Sequence, residues 1–206
     1  MKVFKQFASV MAAVLLMSSV AVAEDGTKAK AATYKVDPAK SEIKWNGKKV
    51  TGEHYGKIDL KEGSFTLDGN KLTAGKFVAD MTTITSEDLK DANYNGKLVG
   101  HLKSEDFFSV EKHPTATFVL TKATATSANQ YDVTGNLTIK GITKPVTFPV
   151  TVAPTANGAQ ATGTITVDRS KYDMKFRSKS FFDAATLGDN LIYDDFTLDV
   201  KLVATK

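Results

Sequence analysis

The chain has no cysteine, which removes disulfides, thiol chemistry and thiolate metal sites together and leaves stability to an ordinary apolar core. Arginine is almost as scarce. Arg169 and Arg177 are the whole complement, and every other positive charge is a lysine. The three histidines, His54, His101 and His113, have no metal-ligand spacing with one another. There is no Gly-x-Ser-x-Gly elbow and no phosphate-binding glycine loop. Asp189, Asp194 and Asp195 lack the loop spacing of a calcium site. No stripe of basic residues interleaved with aromatics occurs, and the formal net charge is only +4, so nucleic acid is not an expected partner. No catalytic residue, metal site or cofactor is predicted.

Long hydrophobic runs are missing too, except at the N-terminus. Lys2 and Lys5 precede an apolar stretch from Val10 to Leu16, and Ala21-Val22-Ala23 offers small residues where a signal peptidase reads. The stretch is short for a membrane span. With no cysteine after it, a lipoprotein anchor is excluded. A signal peptide over 1–23 is expected, cleaved near Ala23, with a retained N-terminal anchor as the alternative. Residues 24–32 are small and polar and read as a flexible leader. One domain is expected over 33–204, in a protein that is exported and periplasmic or secreted.

What the chain does have is alternation. Ile43 and Trp45, Ile58 and Leu60, Phe65 and Leu67, and Phe77, Ala79 and Met81 each share one face of a period-two run. Tyr131, Val133, Gly135, Leu137 and Ile139 form the longest such series, followed by Val146, Phe148, Val150 and Val152. Phe196, Leu198, Val200 and Leu202 close the chain on the same pattern. Asp68-Gly69-Asn70 and Asn157-Gly158 are turns. Gly47 predicts a bulge or bend, and Pro145 and Pro149 predict an edge or unbonded position. The period changes after Ile84. Thr85 to Asp88 read as a helix start, Asp91 as a further early acid, and Tyr94, Leu98 and Leu102 as one helix face. Gly96 and Gly100, each costing about 1 kcal/mol in a helix, suggest a smooth patch where a backbone or ligand approaches. His113-Pro114 ends the helix. About eight strands, one helical insertion and no internal repeat point to an all-β fold, an antiparallel barrel in preference to a sandwich.

Three stretches carry a resemblance: Gly100 to Phe108, His113 to Phe118, and Tyr131 to Pro145 with its Gly-Asn-Leu-Thr-Ile-Lys-Gly core. Together with Tyr34 to Trp45 they resemble the YceI-like family, lipocalin-like secreted or periplasmic proteins that bind polyisoprenoid and related lipids. The resemblance spans Tyr34 to Val203. It implies a lipocalin-like barrel with the helical insertion at one mouth and an apolar tunnel holding a polyisoprenoid or similar long-chain lipid. Candidate lining residues are Trp45, Phe65, Phe77, Phe118, Tyr131, Leu137, Phe148, Phe196 and Leu198. Leu98 and His101 would belong to the helix at the mouth, where His101 could hydrogen-bond a headgroup.

The two arginines add a candidate of their own. Both fall in Asp168 to Lys179 with Lys171, Lys175 and Lys179, and the guanidinium fork suits phosphate or carboxylate or stacking on Tyr172. Arg169, Tyr172 and Arg177 are therefore expected to meet an anionic headgroup or, transiently, an anionic membrane surface. Salt bridges to Asp168, Asp173 or Asp183 are the plainer alternative. Two other functions stay open: an enzyme using the cavity with His101 or Tyr172 as acid or base, and a filled-barrel structural or stress-associated envelope protein. A homodimer would form through strand edges near Pro145 and Pro149.

Overall fold

The structure, a computed structural model, describes residues 31–206. The signal peptide over 1–23 and the leader as far as residue 30 lie outside the described residues. Ala32, assigned to the leader, already belongs to the first strand. Among the described residues nine strands form: β1 (Ala32–Val36), β2 (Glu42–Lys49), β3 (Gly52–Asp68), β4 (Lys71–Asp80), β5 (Thr115–Ser127), β6 (Gln130–Ile139), β7 (Ile142–Thr155), β8 (Gly158–Asp168) and β9 (Ile192–Thr205). Helix α1 (Ala92–Lys103) separates β4 from β5, and a single turn, α2 (Ala184–Leu187), lies before β9.

Every pairing is antiparallel, and the sheet closes because β3 pairs with β4 while β2 pairs with β9. The nine strands make eight staves. β1 pairs with β3 from Leu67 back to Ser64, and β2 continues along the same strand from Ile58 to Gly52. Asp37-Pro38 interrupts this stave because proline has no N–H to give the ladder. The break is stitched to β9, where the Asp37 N–H donates to the Val203 carbonyl (2.8 Å) and the Val203 N–H to Ser41 Oγ (3.0 Å). The register slips between Gly47 and Lys49 against β9, the bulge that Gly47 predicts.

Strand alternation sorts the side chains. All five members of the Tyr131 to Ile139 series are buried, and Asp132 and Asn136 between them are exposed. The core forms two clusters. One lies under α1 and includes Trp45, Met81, Leu102, Phe107, Leu137, Ile165 and Met174. The other fills the opposite end around Phe65, Tyr131, Val133, Val152 and Leu202. Ala79, Phe148, Leu198 and Val200 pack against both.

Two expectations about the insertion need correction. The helix does not begin at Thr85. Asp91 is its N-cap, accepting from the N–H groups of Asn93 (2.9 Å) and Tyr94 (3.1 Å). Residues 84–88 run extended along β3, with Thr85 N–H on the Lys57 carbonyl (2.9 Å) and Glu87 N–H on the Tyr55 carbonyl (2.8 Å). Pairing with the barrel outweighs the local helix signals there. Gly96 and Gly100, moreover, face nothing: a Cβ on either would have no atom within 4 Å.

The prolines of β7 do mark an unpaired edge. β7 pairs with β8 only from Val150↔Gly163 onward, which leaves 142–149 without a partner on that side. Val152 donates to Asn129 on the β6 side, so by alternation the nitrogens of Pro145 and Pro149 face the open seam. Proline there removes donors from an edge that another chain could extend.

Aspartates cap the short helical turns, three of them directly after a strand. Asp37 accepts from Ala39 N–H (3.1 Å), Asp80 from Thr82 N–H (3.0 Å), Asp168 from Ser170 N–H (3.0 Å) and Asp183 from Thr186 N–H (2.8 Å). Their carboxyl groups are held below the ordinary value. Lys40 does this first for Asp37, the Thr82 hydroxyl for Asp80 and the Thr186 N–H for Asp183. For Asp168, burial pulls upward, and the Ser170 bonds together with Lys171 outweigh it. A carboxyl depressed in the folded state binds its proton more readily when unfolded, so its stabilisation is full above the unfolded value and fades as pH falls through the folded one. The melting temperature is therefore expected to decline below about pH 4, modestly for each group because most are exposed. Thermal melts followed by circular dichroism between pH 7 and pH 3 test this, and an unchanged midpoint at pH 3 would contradict it.

Candidate functional site

The barrel encloses a cavity of about 210 Å³. Its wall runs the length of the barrel, from Leu102, Phe107, Phe108 and Met174 below α1 to Phe65, Leu72, Val152 and Leu202 at the other end. Polar side chains on it are few: Thr117, Thr162, Arg169, Tyr193 and the indole of Trp45. The indole N–H leaves the cavity and donates to the Thr85 carbonyl (2.9 Å), so the ring presents only carbon to the interior. One side carries a run of rings. Phe77 and Phe118 lie 6.4 Å apart, and Phe118 and Phe148 5.3 Å. The Phe118 ring seats on Gly135, where a Cβ would fall 2.2 Å from its Cζ. A glycine in the longest inward series thus makes room for an aromatic from the next strand.

Of the predicted ligand-contacting residues, Trp45, Phe65, Phe77, Phe118, Leu137, Phe148, Arg169, Phe196 and Leu198 lie on this wall. Leu98, His101, Tyr131, Tyr172 and Arg177 do not, each for its own reason. Leu98 is half-buried and packs on the core cluster from outside the cavity. The Tyr131 hydroxyl donates to the Asn70 carbonyl (2.5 Å), which pins it to the β3–β4 turn at the far mouth. His101 bonds Asp106 through Nε2 (3.0 Å) and meets Phe107 and Phe176 edge-on at 4.9 and 4.6 Å. Tyr172 is 1% exposed, and its hydroxyl has no partner. Burial pushes that phenol up to about 12, so it does not exchange protons near neutral pH.

The arginines part company. Arg169 is 3% exposed and donates to three main-chain carbonyls: Tyr193 from Nε (3.1 Å), Met174 from Nη1 (2.8 Å) and Ile192 from Nη2 (3.0 Å). Asp194 lies 3.6 Å away. This guanidinium is a clasp inside the plug and not a rim group free for an anion, which corrects its expected role. The acid within salt-bridge distance of it is Asp194. Arg177 is exposed, lies over the Phe176 ring at 5.0 Å and has a positive φ of 51°. Lys171 and Lys175 pair with Asp168 and Asp173.

The plug over this mouth is assembled from separate loops. Lys140 Nζ, in the β6–β7 turn, donates to the carbonyls of Glu105 (2.8 Å) and Asp173 (3.0 Å). Phe107 touches Phe176 at 5.9 Å, and Phe108 meets Phe196 at 6.2 Å. Phe107, Phe108, Met174 and Tyr193 were not among the predicted lining residues. The aromatic pair ahead of Pro114 was visible in the sequence, but nothing in its spacing showed that it folds inward.

A polyisoprenoid binding domain from Saccharophagus degradans has the same fold, with a TM-score of 0.58 at 13% identity, over 84% of this chain and 97% of that one. BcnA of Burkholderia cenocepacia superposes with a TM-score of 0.63 at 27% identity, over 82% and 99%. In sequence, a UPF0312 protein of Azotobacter vinelandii is 39% identical over 92 residues, 45% of each chain. One from Pectobacterium carotovorum is 37% identical over 119 residues, 54% of this chain and 59% of that one. The chain spans about half the length of the curated relatives it matches. The model of the YceI-like domain matches residues 34–204, nearly the whole barrel from β1 to β9, and the chain belongs to that family.

Proposed function

We propose that the protein is an exported carrier that shelters a polyisoprenoid or similar long-chain lipid from water inside its barrel. The observation that carries this reading is the cavity. A void of 210 Å³ left empty costs on the order of 5 kcal/mol at the usual penalty per volume, comparable to the whole stability of many domains. A barrel meant only as a scaffold would fill that space with side chains. An apolar chain instead recovers about 0.8 kcal/mol for each methylene it buries. The relation in fold to a polyisoprenoid binding domain supports the same cargo. A catalytic reading loses its two candidates, because neither His101 nor Tyr172 reaches the cavity wall. Export would follow from the 1–23 segment.

Mass spectrometry of an organic extract of the purified protein should show a stoichiometric long-chain lipid, and adding that lipid to stripped protein should raise the melting temperature. Ala79→Phe places a ring in the middle of the cavity, where the two core clusters meet. It should lower lipid affinity by about tenfold or more, since part of the buried chain loses its seat, and leave the strand signal in circular dichroism unchanged. Absence of lipid from the extract, with no thermal shift on addition, would refute the carrier reading.

A further inference from the structure

The stretch after the Arg169 clasp ends in two neighbouring phenylalanines held out in solvent. Phe181 is 43% and Phe182 52% exposed, yet the turn beneath them is well anchored. Ser178 is fully buried, and its carbonyl accepts from both the Phe181 N–H (3.1 Å) and the Phe182 N–H (3.0 Å). Ser180 Oγ donates to Asp194 (2.8 Å), the acid beside Arg169. The rings are thus presented by an anchored turn.

Basic side chains share their segment. Lys175 Nζ lies 5.6 Å from the Phe181 ring centre, and among the described residues neither Arg177 nor Lys179 has an acid within salt-bridge distance. Of the carboxylates nearest in sequence, Asp173 pairs with Lys175 and Asp183 accepts from the Thr186 N–H and hydroxyl. The patch also borders the cavity. Phe176, in the same segment, packs on Phe107, and Phe107 lines the cavity wall.

We propose that segment 175–182 docks this mouth on an anionic lipid surface, Phe181 and Phe182 entering the headgroup layer while Arg177 and Lys179 meet lipid phosphates. Phenylalanine rings enter the boundary between headgroups and acyl chains, and basic side chains meet the negative surface potential. A two-fold contact between copies of the chain would press the same cations against each other, so charge favours the lipid surface as occupant. The inference rests on the carrier reading for its purpose: cargo insoluble in water would pass between membrane and barrel at the docked mouth.

The test is co-sedimentation with vesicles of phosphatidylcholine, alone or with one-third phosphatidylglycerol, using wild type, Phe181→Ser/Phe182→Ser and Arg177→Gln/Lys179→Gln. Wild type should sediment with the anionic vesicles and weakly with the neutral ones. Removing the charges should weaken binding about fivefold for each, and removing the rings about tenfold for each. Failure of wild type to bind anionic vesicles, or equal binding by all three proteins, would overturn the proposal. So would a dimer in sedimentation velocity that the phenylalanine variant dissolves while vesicle binding stays unchanged. Uptake of a soluble fluorescent fatty acid, measured in parallel, separates the two readings. Docking without uptake supports this surface and counts against the carrier, and uptake without docking does the reverse.

Discussion

Arg169→Met is expected to cost about 3–5 kcal/mol of stability, the range for removing one partner of a buried charge pair. The side chain is 3% exposed and its three bonds reach two separate pieces of chain: Met174 on its own loop, and Ile192 and Tyr193 at the start of β9. Methionine would take the guanidinium's donors away from all three carbonyls. It would also leave Asp194 with one oxygen that already lacks a hydrogen bond and no nearby cation. Arg169→Lys should recover little, because one ammonium cannot reproduce a planar fork aimed at three carbonyls. Adding Asp194→Asn to Arg169→Met should regain part of the loss by removing the stranded charge. Denaturant midpoints of the four proteins decide the matter, and a wild-type midpoint for Arg169→Met would show that the clasp is dispensable. Met174 and Ile192 both line the cavity, so, on the carrier reading proposed above, lipid retention should fall along with stability.

The barrel was legible because its signal is repeated. Each inward series, such as Tyr131 to Ile139 or Phe196 to Leu202, buries one face against a shared interior, and period two reports that arrangement directly. The β7 prolines were legible for a related reason, since a missing N–H restricts where a strand can pair. The stretch from Thr85 to Asp88 was not. Its hydroxyls and acids suit a helix start, but they serve an extended strap. Ser86 Oγ and His54 bond Asp88 (2.9 and 2.7 Å). Burial would raise the Asp88 carboxyl, yet those bonds and the Tyr55 N–H hold it below its ordinary value. Local pattern cannot reveal that a strand distant in sequence will supply the partners.

The site divides the same way. Residues whose place on the wall follows from strand alternation, such as Trp45, Phe118 and Phe148, were readable one strand at a time. Those contributed by loops were not, because Phe107 and Met174 reach the cavity through contacts among three loops, and Tyr193 at the start of β9 lies outside the Phe196 to Leu202 alternation. Arg169 shows the limit of composition as a guide. Scarcity singled it out correctly, but chemistry alone made it an anion site, when burial makes it an internal donor. Its partners are main-chain carbonyls, which a sequence does not display.

Glycine gives the sharpest test of this distinction, through two substitutions of opposite sign. Gly96→Ala in α1 adds a Cβ to open space and should stabilise the protein by up to about 1 kcal/mol through helix propensity. Gly56→Ala adds the same atom 1.9 Å from the Thr85 carbonyl oxygen and 2.9 Å from Trp45 Nε1, where the strap crosses β3. An isolated strand would gain from that change, because alanine loses less entropy than glycine on folding. Here the strap must lift. Its two main-chain bonds to β3 and the indole bond are each worth about 1 kcal/mol, and Ile84, 2% exposed, leaves its seat in the core. The expected loss is about 3 kcal/mol or more, against a gain for the chemically identical change at position 96. Trp45 is the only tryptophan, so urea unfolding followed by its fluorescence reports both midpoints and any shift of the ring that separates strap from cavity. Equal midpoints for Gly56→Ala and wild type would mean that the strap does not hold the wall. A lowered midpoint with blue-shifted emission would instead show the ring moving into the space the lipid is proposed to occupy.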